Sequence, residues 1–137
     1  YTSPQGKFVA SFIGNMNFLD ALVVGQNQIR VNRLTLNHNT DTYAPGSKVK
    51  LALRPESIEV MHRTTGAVNA LVTHVEFIGS FLRILCEADT YYGAQPLMVQ
   101  IPVNRGVEIN LHAGQSVSLR WAKHDMQLFS AGDSHVQ

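Results

Sequence analysis

A single cysteine, Cys86, stands among the 137 residues of this sequence. One thiol excludes an internal disulfide framework and fits a reducing compartment. Within the strand-like run Leu82–Glu87, Cys86 reads as a small buried hydrophobe rather than a nucleophile. Long apolar stretches are missing too. No run exceeds four residues, whereas a membrane-spanning helix needs roughly 20, and no signal-peptide pattern is visible. Neither sign of charge dominates: 11 basic and 10 acidic residues leave a net charge of +1. That balance gives no electrostatic reason for strong binding to nucleic acid or an anionic membrane. The motif Gly-x-x-x-x-Gly-Lys-[Ser/Thr] is also absent. Gly6-Lys7 is followed by Phe8, so the loop that cradles phosphates in P-loop enzymes is not in this sequence.

Ligand and catalytic spacings are equally sparse. His74 and Glu76 are two apart and share one strand face. The other histidines, His38, His62, His112, His124 and His135, fall in loops without the tight pairs that zinc sites use. No metal ligand, catalytic residue or cofactor-binding residue is therefore expected. Lys123-His124-Asp125 reads as a solvated turn, because adjacent residues seldom converge on one reacting atom.

What the sequence does contain is a repeat. Gly46-Ser47-Lys48-Val49-Lys50-Leu51-Ala52-Leu53 is echoed half a chain length later by Gly114-Gln115-Ser116-Val117-Ser118-Leu119-Arg120-Trp121. The echo continues, with Ile58 and Val60 opposite Met126 and Leu128. A period near half the length predicts two copies of one small unit.

The remaining pattern is mostly strand. Phe8, Val9, Phe12 and Ile13 fall on one face of a short helix that Gly14 stops. Leu19–Val24 predicts a strand, and Gln28–Leu36 alternates with one slip near Arg33, read as a bulge or bend. Asn37–Gly46 is a loop by composition. Lys48–Leu53 alternates cleanly, Pro55-Glu56-Ser57 suits a tight helical turn, and Thr64-Thr65-Gly66 marks a boundary. Val68–Phe77, Phe81–Ala88, Leu97–Val103 and Val117–Trp121 are further strands, with Asp89–Pro96 a loop or hairpin. Short strands about ten residues apart predict an all-β protein of tandem OB-fold-like barrels, preceded by the short helix. The expected division is a connector helix over 1–14, OB-like units over 15–65 and 66–130, and a flexible tail over 131–137. Units this small are marginal alone, so an interface between them, or with a second chain, is expected.

Four segments then carry a specific resemblance. Phe8-Val9-Ala10-x-Phe12-Ile13-Gly14-x-x-Asn17-Phe18-Leu19 resembles the stretch that follows the nucleotide-binding domain in importer-type ABC ATPases. Gly46-x-x-Val49-x-Leu51-x-Leu53-Arg54-Pro55-Glu56-x-Ile58 resembles that family's C-terminal G-x-x-V-x-L-x-I-R-P-E-x-I signature. Val75-Glu76-Phe77-Ile78-Gly79-Ser80 is similar to its V-E-x-L-G-S motif. Gly114-x-x-Val117-x-Leu119-x-Trp121 and Met126-Gln127-Leu128-Phe129 resemble its closing segment. The four occur in family order across nearly the whole chain. The Asn17-Phe18-Leu19 motif is most similar to the polyamine, ferric-iron and phosphonate branches. His124-Asp125 departs from the acidic or proline-containing turn of many relatives, and Tyr91-Tyr92-Gly93 matches no family motif.

The resemblance implies the transport-associated OB (TOBE) region, a non-catalytic regulatory and dimerisation domain. The chain opens on Tyr1 rather than Met, which reads as a piece of a longer protein. ATP and Mg would belong to the ATPase domain outside it. Implied partners are a second copy of the chain, its own ATPase domain and, through that domain, the transporter's membrane subunits. The implied location is cytoplasmic, at the inner face of the plasma membrane, with neither direct membrane insertion nor nucleic acid. Arg54 and Glu56 are candidates for the contact with the ATPase domain or partner subunit, against a plain structural corner. Trp121 is a candidate core or interface aromatic. Two other readings stay open. One is a small-ligand sensor for an oxyanion or solute, with Asn15, Asn17, Ser80 and Arg83 as donors. The other is an OB-type nucleic-acid-binding protein.

Overall fold

The computed structural model describes residues 16–131. The expected connector helix therefore lies outside the described residues, and so does nearly all of the expected tail. Ten strands form two five-stranded sheets, antiparallel throughout. β1 (Asn17–Gly25), β2 (Gln28–Arg30), β3 (Thr35–Asn37), β4 (Lys48–Leu53) and β5 (Glu59–His62) come from the first half of the chain. β6 (Val68–Ile78), β7 (Phe81–Thr90), β8 (Gly93–Pro102), β9 (Ser116–Arg120) and β10 (Gln127–Ser130) come from the second. A short helix, α1 (Val103–Glu108), joins β8 to β9, and 3₁₀ turns at Pro55–Ser57 and Lys123–Asp125 follow β4 and β9. The all-β, OB-like class read from the strand spacing is the class observed.

The sheet orders are β10-β4-β1-β2-β3 and β5-β9-β6-β7-β8. The last strand of each half thus leaves its own sheet. β5 pairs with β9, with Val60 opposite Leu119, and β10 pairs with β4, with Leu128 opposite Leu51. The sequence repeat is the exchanging unit itself: strand, 3₁₀ corner, then a strand that crosses to the other sheet. The sheets consequently do not follow the 15–65 and 66–130 division, since each contains a strand from the other segment.

The register of the halves agrees in detail. Leu19 and Ala21 of β1 face Leu51 and Val49 of β4, as Val68 and Ala70 of β6 face Leu119 and Val117 of β9. A register shift follows Val23 in β1 and Val72 in β6. Each of these valines closes the same turn. Gly46 N–H donates to Val23 O (2.6 Å) and Val23 N–H to Ser47 O (2.9 Å); Gly114 N–H donates to Val72 O (2.7 Å) and Val72 N–H to Gln115 O (2.9 Å). Gly46 and Gly114 hold φ of 90° and 92°, a conformation that side-chain-bearing residues resist. This is why both repeats begin with glycine.

One element differs from the sequence expectation, and another is decided between its two readings. The slip near Arg33 is a reversal: Val31 N–H donates to Leu34 O (3.0 Å), and the single expected strand becomes β2 and β3. Asp89–Pro96, read as a loop or hairpin, is a hairpin: β7 runs to Thr90 and β8 starts at Gly93, with Tyr91-Tyr92 as the turn. Inward positions of both sheets, among them Leu19, Leu51, Ile84, Leu97 and Leu119, join one continuous core. At least six fully buried Leu, Ile and Val side chains per sheet follow the period-2 pattern that defines the inner face.

Candidate functional site

The structure distributes the sequence candidates rather than gathering them. Asn17 is buried at the start of β1 (1% exposed). There β1 pairs with β4 on one edge only, since the β1–β2 register begins at Leu22. Asn17 Nδ2 donates to Met98 O (2.7 Å) and Oδ1 accepts from Met98 N–H (2.8 Å). Its amide thus imitates one rung of a backbone ladder between β1 and β8, and both of its polar ends are committed. Asn15 lies outside the described residues. Ser80 is exposed at the β6–β7 tip, and Arg83 Nη1 stands 3.5 Å from Glu76 Oε1 on the neighbouring strand. Trp121 is half-buried against the core, its Nε1–H directed at Met126 Sδ (3.1 Å).

Arg54 and Glu56 flank Pro55 at the first corner. Pro55 is buried and Ser57 N–H donates to Arg54 O (3.0 Å), which fixes the turn. Both charged side chains are exposed, and neither makes a hydrogen bond or ion pair among the described residues. The corner connects β4 of one sheet to β5 of the other.

Sequence reasoning missed the polar seam beside Asn17. Asp20, 6% exposed, interrupts the apolar run of β1. Lys50 Nζ lies 2.8 Å from its Oδ1, Lys48 Nζ 3.4 Å from Oδ2, and Gln95 Nε2 donates to Oδ2 (2.6 Å). Gln95 Oε1 also accepts the Asp20 N–H (2.8 Å), so β8 is tied to β1 a second time. Burial alone would raise the Asp20 pKa. Hydrogen bonds from Lys50 and Gln95 and the two lysine charges outweigh it and hold the carboxyl below its usual range. Lys48 Nζ sits 4.8 Å from the centroid of the Tyr92 ring. Burial first, then Tyr91 and Asp20, pushes the Tyr92 phenol up. The available signal was an acid inside an apolar strand, with two lysines on the strand it pairs with. Cys86, buried in β7, has its thiol pushed up to about 12 by burial, which leaves it unreactive as a nucleophile.

Two open clefts lie on the surface of the described residues. One, of about 390 Å³, is lined by Asn27, Asn37, His38, Asp41 and Lys123 among others. The other, of about 310 Å³, lies where the β2–β3 turn meets the β5–β6 turn and the end of β7. Among the described residues, no three His, Cys, Asp or Glu side chains form a group that would hold a metal ion. No helix of the described residues is long and apolar enough to cross a membrane.

Residues 51–129, more than half of the chain and including both corners, match the family model described as the TOBE domain. The chain belongs to the TOBE domain family. Similar curated proteins are spermidine/putrescine import ATP-binding proteins PotA. That of Malacoplasma penetrans is 26% identical over 98% of this chain and 22% of its own length. That of Oleidesulfovibrio alaskensis is 26% identical over 88% and 36%, and that of Ruegeria pomeroyi 32% identical over 58% and 23%. The TOBE chain thus spans about a fifth to a third of the length of these relatives. Among solved structures it is similar to the cytoplasmic molybdate-binding protein ModG with molybdate bound, at a TM-score of 0.63 and 14% identity. The match covers 83% of this chain and 95% of that one, and at that identity it is a likeness of fold.

Proposed function

We propose that this TOBE domain is the C-terminal regulatory and dimerisation module of the ATP-binding subunit of an ABC importer, with no catalysis of its own. The names of the relatives support the transporter context. The observation that carries the reading is the Arg54-Pro55-Glu56 corner. Several other charges are neutralised within the chain: Asp20 with Lys48 and Lys50, Glu76 with Arg83, Glu108 with Arg105. Arg54 and Glu56 are held out on a fixed turn without such partners among the described residues, as an intermolecular contact requires.

The module tethers two ATP-binding subunits at the cytoplasmic side while their nucleotide domains open and close. A fixed tether keeps the effective concentration of the two domains high throughout the cycle. Load applied at the corner reaches both sheets, because β4 and β5 lie on opposite sides of the exchange. The outer face of the first sheet, where the exposed rings of Phe18 and Phe129 meet edge to face, offers the second copy an apolar contact. The test is the double variant Arg54→Ala/Glu56→Ala in the full-length subunit assembled with its membrane subunits. The expected result is a severalfold loss of ATPase activity with unchanged thermal stability. Unchanged ATPase activity and transport would sink the role of the corner.

A second reading, sensing of a small ligand, is favoured by the two clefts, whose walls are mainly polar. The molybdate bound to ModG shows that a protein of similar fold holds a small anion.

A further inference from the structure

Resting on the ligand-sensing reading, we propose that the cleft between the β2–β3 and β5–β6 turns binds a small hydroxylated organic anion. The acid group of that ligand lies against Arg33 and Arg63. Both arginines line the cleft, together with Asn32, Asn69 and Asp89. Arg33 has no hydrogen bond or ion pair among the described residues. Arg63 commits only its Nε–H, to Asn69 Oδ1 (3.0 Å). Asp89 shares the cleft but forms no ion pair with either. Two arginines that line one cleft without an ion-pair partner offer an anion receptor, since the planar fork matches carboxylate and phosphate bidentately.

The turns that present these side chains are braced. Thr64 N–H donates to Ser118 Oγ (2.9 Å), which donates back to Thr64 O (3.3 Å), and Ser118 is fully buried. That pair anchors the backbone beside Arg63. On the opposite wall, Arg30 Nε–H donates to Asn32 O (2.5 Å), and Tyr91 N–H donates to Val31 O. Arg33 is therefore carried on a turn tied both to its own strand and to β7–β8. Preorganised donors of this kind lower the ordering cost of binding.

Size and lining decide the class of anion. A volume of about 310 Å³ is some ten times the share of one water, about 30 Å³, and reaches the range of small-molecule pockets, from about 300 Å³. A bare tetrahedral oxyanion would leave most of it empty. Asp89 is an acceptor that repels a second acid group but receives a hydroxyl, and the Asn32 and Asn69 amides offer further hydroxyl partners. The ligand chemistry is thus one acid group at the arginine end and hydroxyls toward Asp89. The acid is supplied by a carboxylate or by a phosphate ester.

Isothermal titration calorimetry of the chain at matched ionic strength tests this with gluconate, glycerol 3-phosphate, inorganic phosphate and glycerol. Binding of gluconate or of glycerol 3-phosphate is expected, and which of them binds identifies the acid. Arg33→Gln and Arg63→Gln, both at exposed positions, should each weaken binding about tenfold or more while leaving the melting temperature of the free protein unchanged. Asp89→Asn should weaken the hydroxylated anion more than inorganic phosphate. Inorganic phosphate binding as tightly as glycerol 3-phosphate would overturn the proposal, as would binding indifferent to both arginines. In the second case a sensor remains, with its site elsewhere. No heat from any probe also overturns it. A thermal-shift screen over neutral and cationic solutes then separates the two failures: a hit there keeps ligand sensing alive, and a flat screen ends both.

Discussion

Asp20 shows how much one residue decides here. From β1, its carboxylate holds two lysines of β4 and a glutamine of β8 at one point of the seam. Because its folded pKa is depressed, the stability it contributes is present above the ordinary carboxylate pKa and is lost as pH falls through the folded value. At neutral pH, Asp20→Asn is expected to cost about 2 kcal/mol, the scale of hydrogen bonds to a charged group. The gap between wild type and variant should close as pH drops below about 4. Urea unfolding at pH 7 and pH 3 checks this, and a gap that stays constant would mean the carboxylate carries no pH-dependent stability. Asn17 was legible as a residue of interest but not in its role. A polar side chain at a strand start reads equally as a ligand donor or a ladder mimic. The choice lies with Met98, far away in sequence, whose backbone it clamps. Arg54 and Glu56 were legible in position, because Pro55 announces the corner. Their lack of internal partners was not, because charge pairing depends on neighbours across strands.

At the scale of elements, the period-2 pattern of the repeated segment found β4. Val49, Leu51 and Leu53 are fully buried on β4, as their alternation predicts. The helix α1 was invisible. Six residues with an internal glycine, Gly106, give little helical signal, and tertiary packing sets the choice of residue. A Cβ on Gly106 would collide with Leu82 Cδ1, so glycine lets the helix lie against the β7 side chain. From there Arg105 Nη2 donates to Val60 O (3.0 Å) on the crossing strand β5, much as Tyr43 OH reaches Leu128 O (3.5 Å) on β10. Each exchanged strand is thus tied down by the β3–β4 or β8–β9 connection of the other half. Gly106→Val is expected to destabilise by about 1–3 kcal/mol through overpacking, despite the better helix propensity of valine. Adding Leu82→Ala should cost less than the sum of the two single changes, because both act on one contact. Strictly additive melting data would argue that Gly106 is not held by Leu82.

For the whole molecule, the repeat told that there are two related halves, and the glycines, bulges and register bear out that kinship residue by residue. It did not tell which sheet each final strand joins. β5 and β10 alternate alike, and alternation records the face a residue occupies, not the neighbour its backbone pairs with. The exchange makes the two sheets one body with one core. The corners where the chain crosses between sheets carry the residues that distinguish the halves: Arg54-Pro55-Glu56 in one, Ala122-Lys123-His124 in the other. The proposed joining of subunits rests on the exposed ionic corner and on the aromatic pair of an outer sheet face. Sedimentation equilibrium of the chain, alongside Arg54→Ala/Glu56→Ala, tests that directly. The account predicts a concentration-dependent dimer that the double variant weakens about tenfold, the effect of losing about 1.4 kcal/mol. A wild-type chain that remains strictly monomeric at the highest concentration would contradict it.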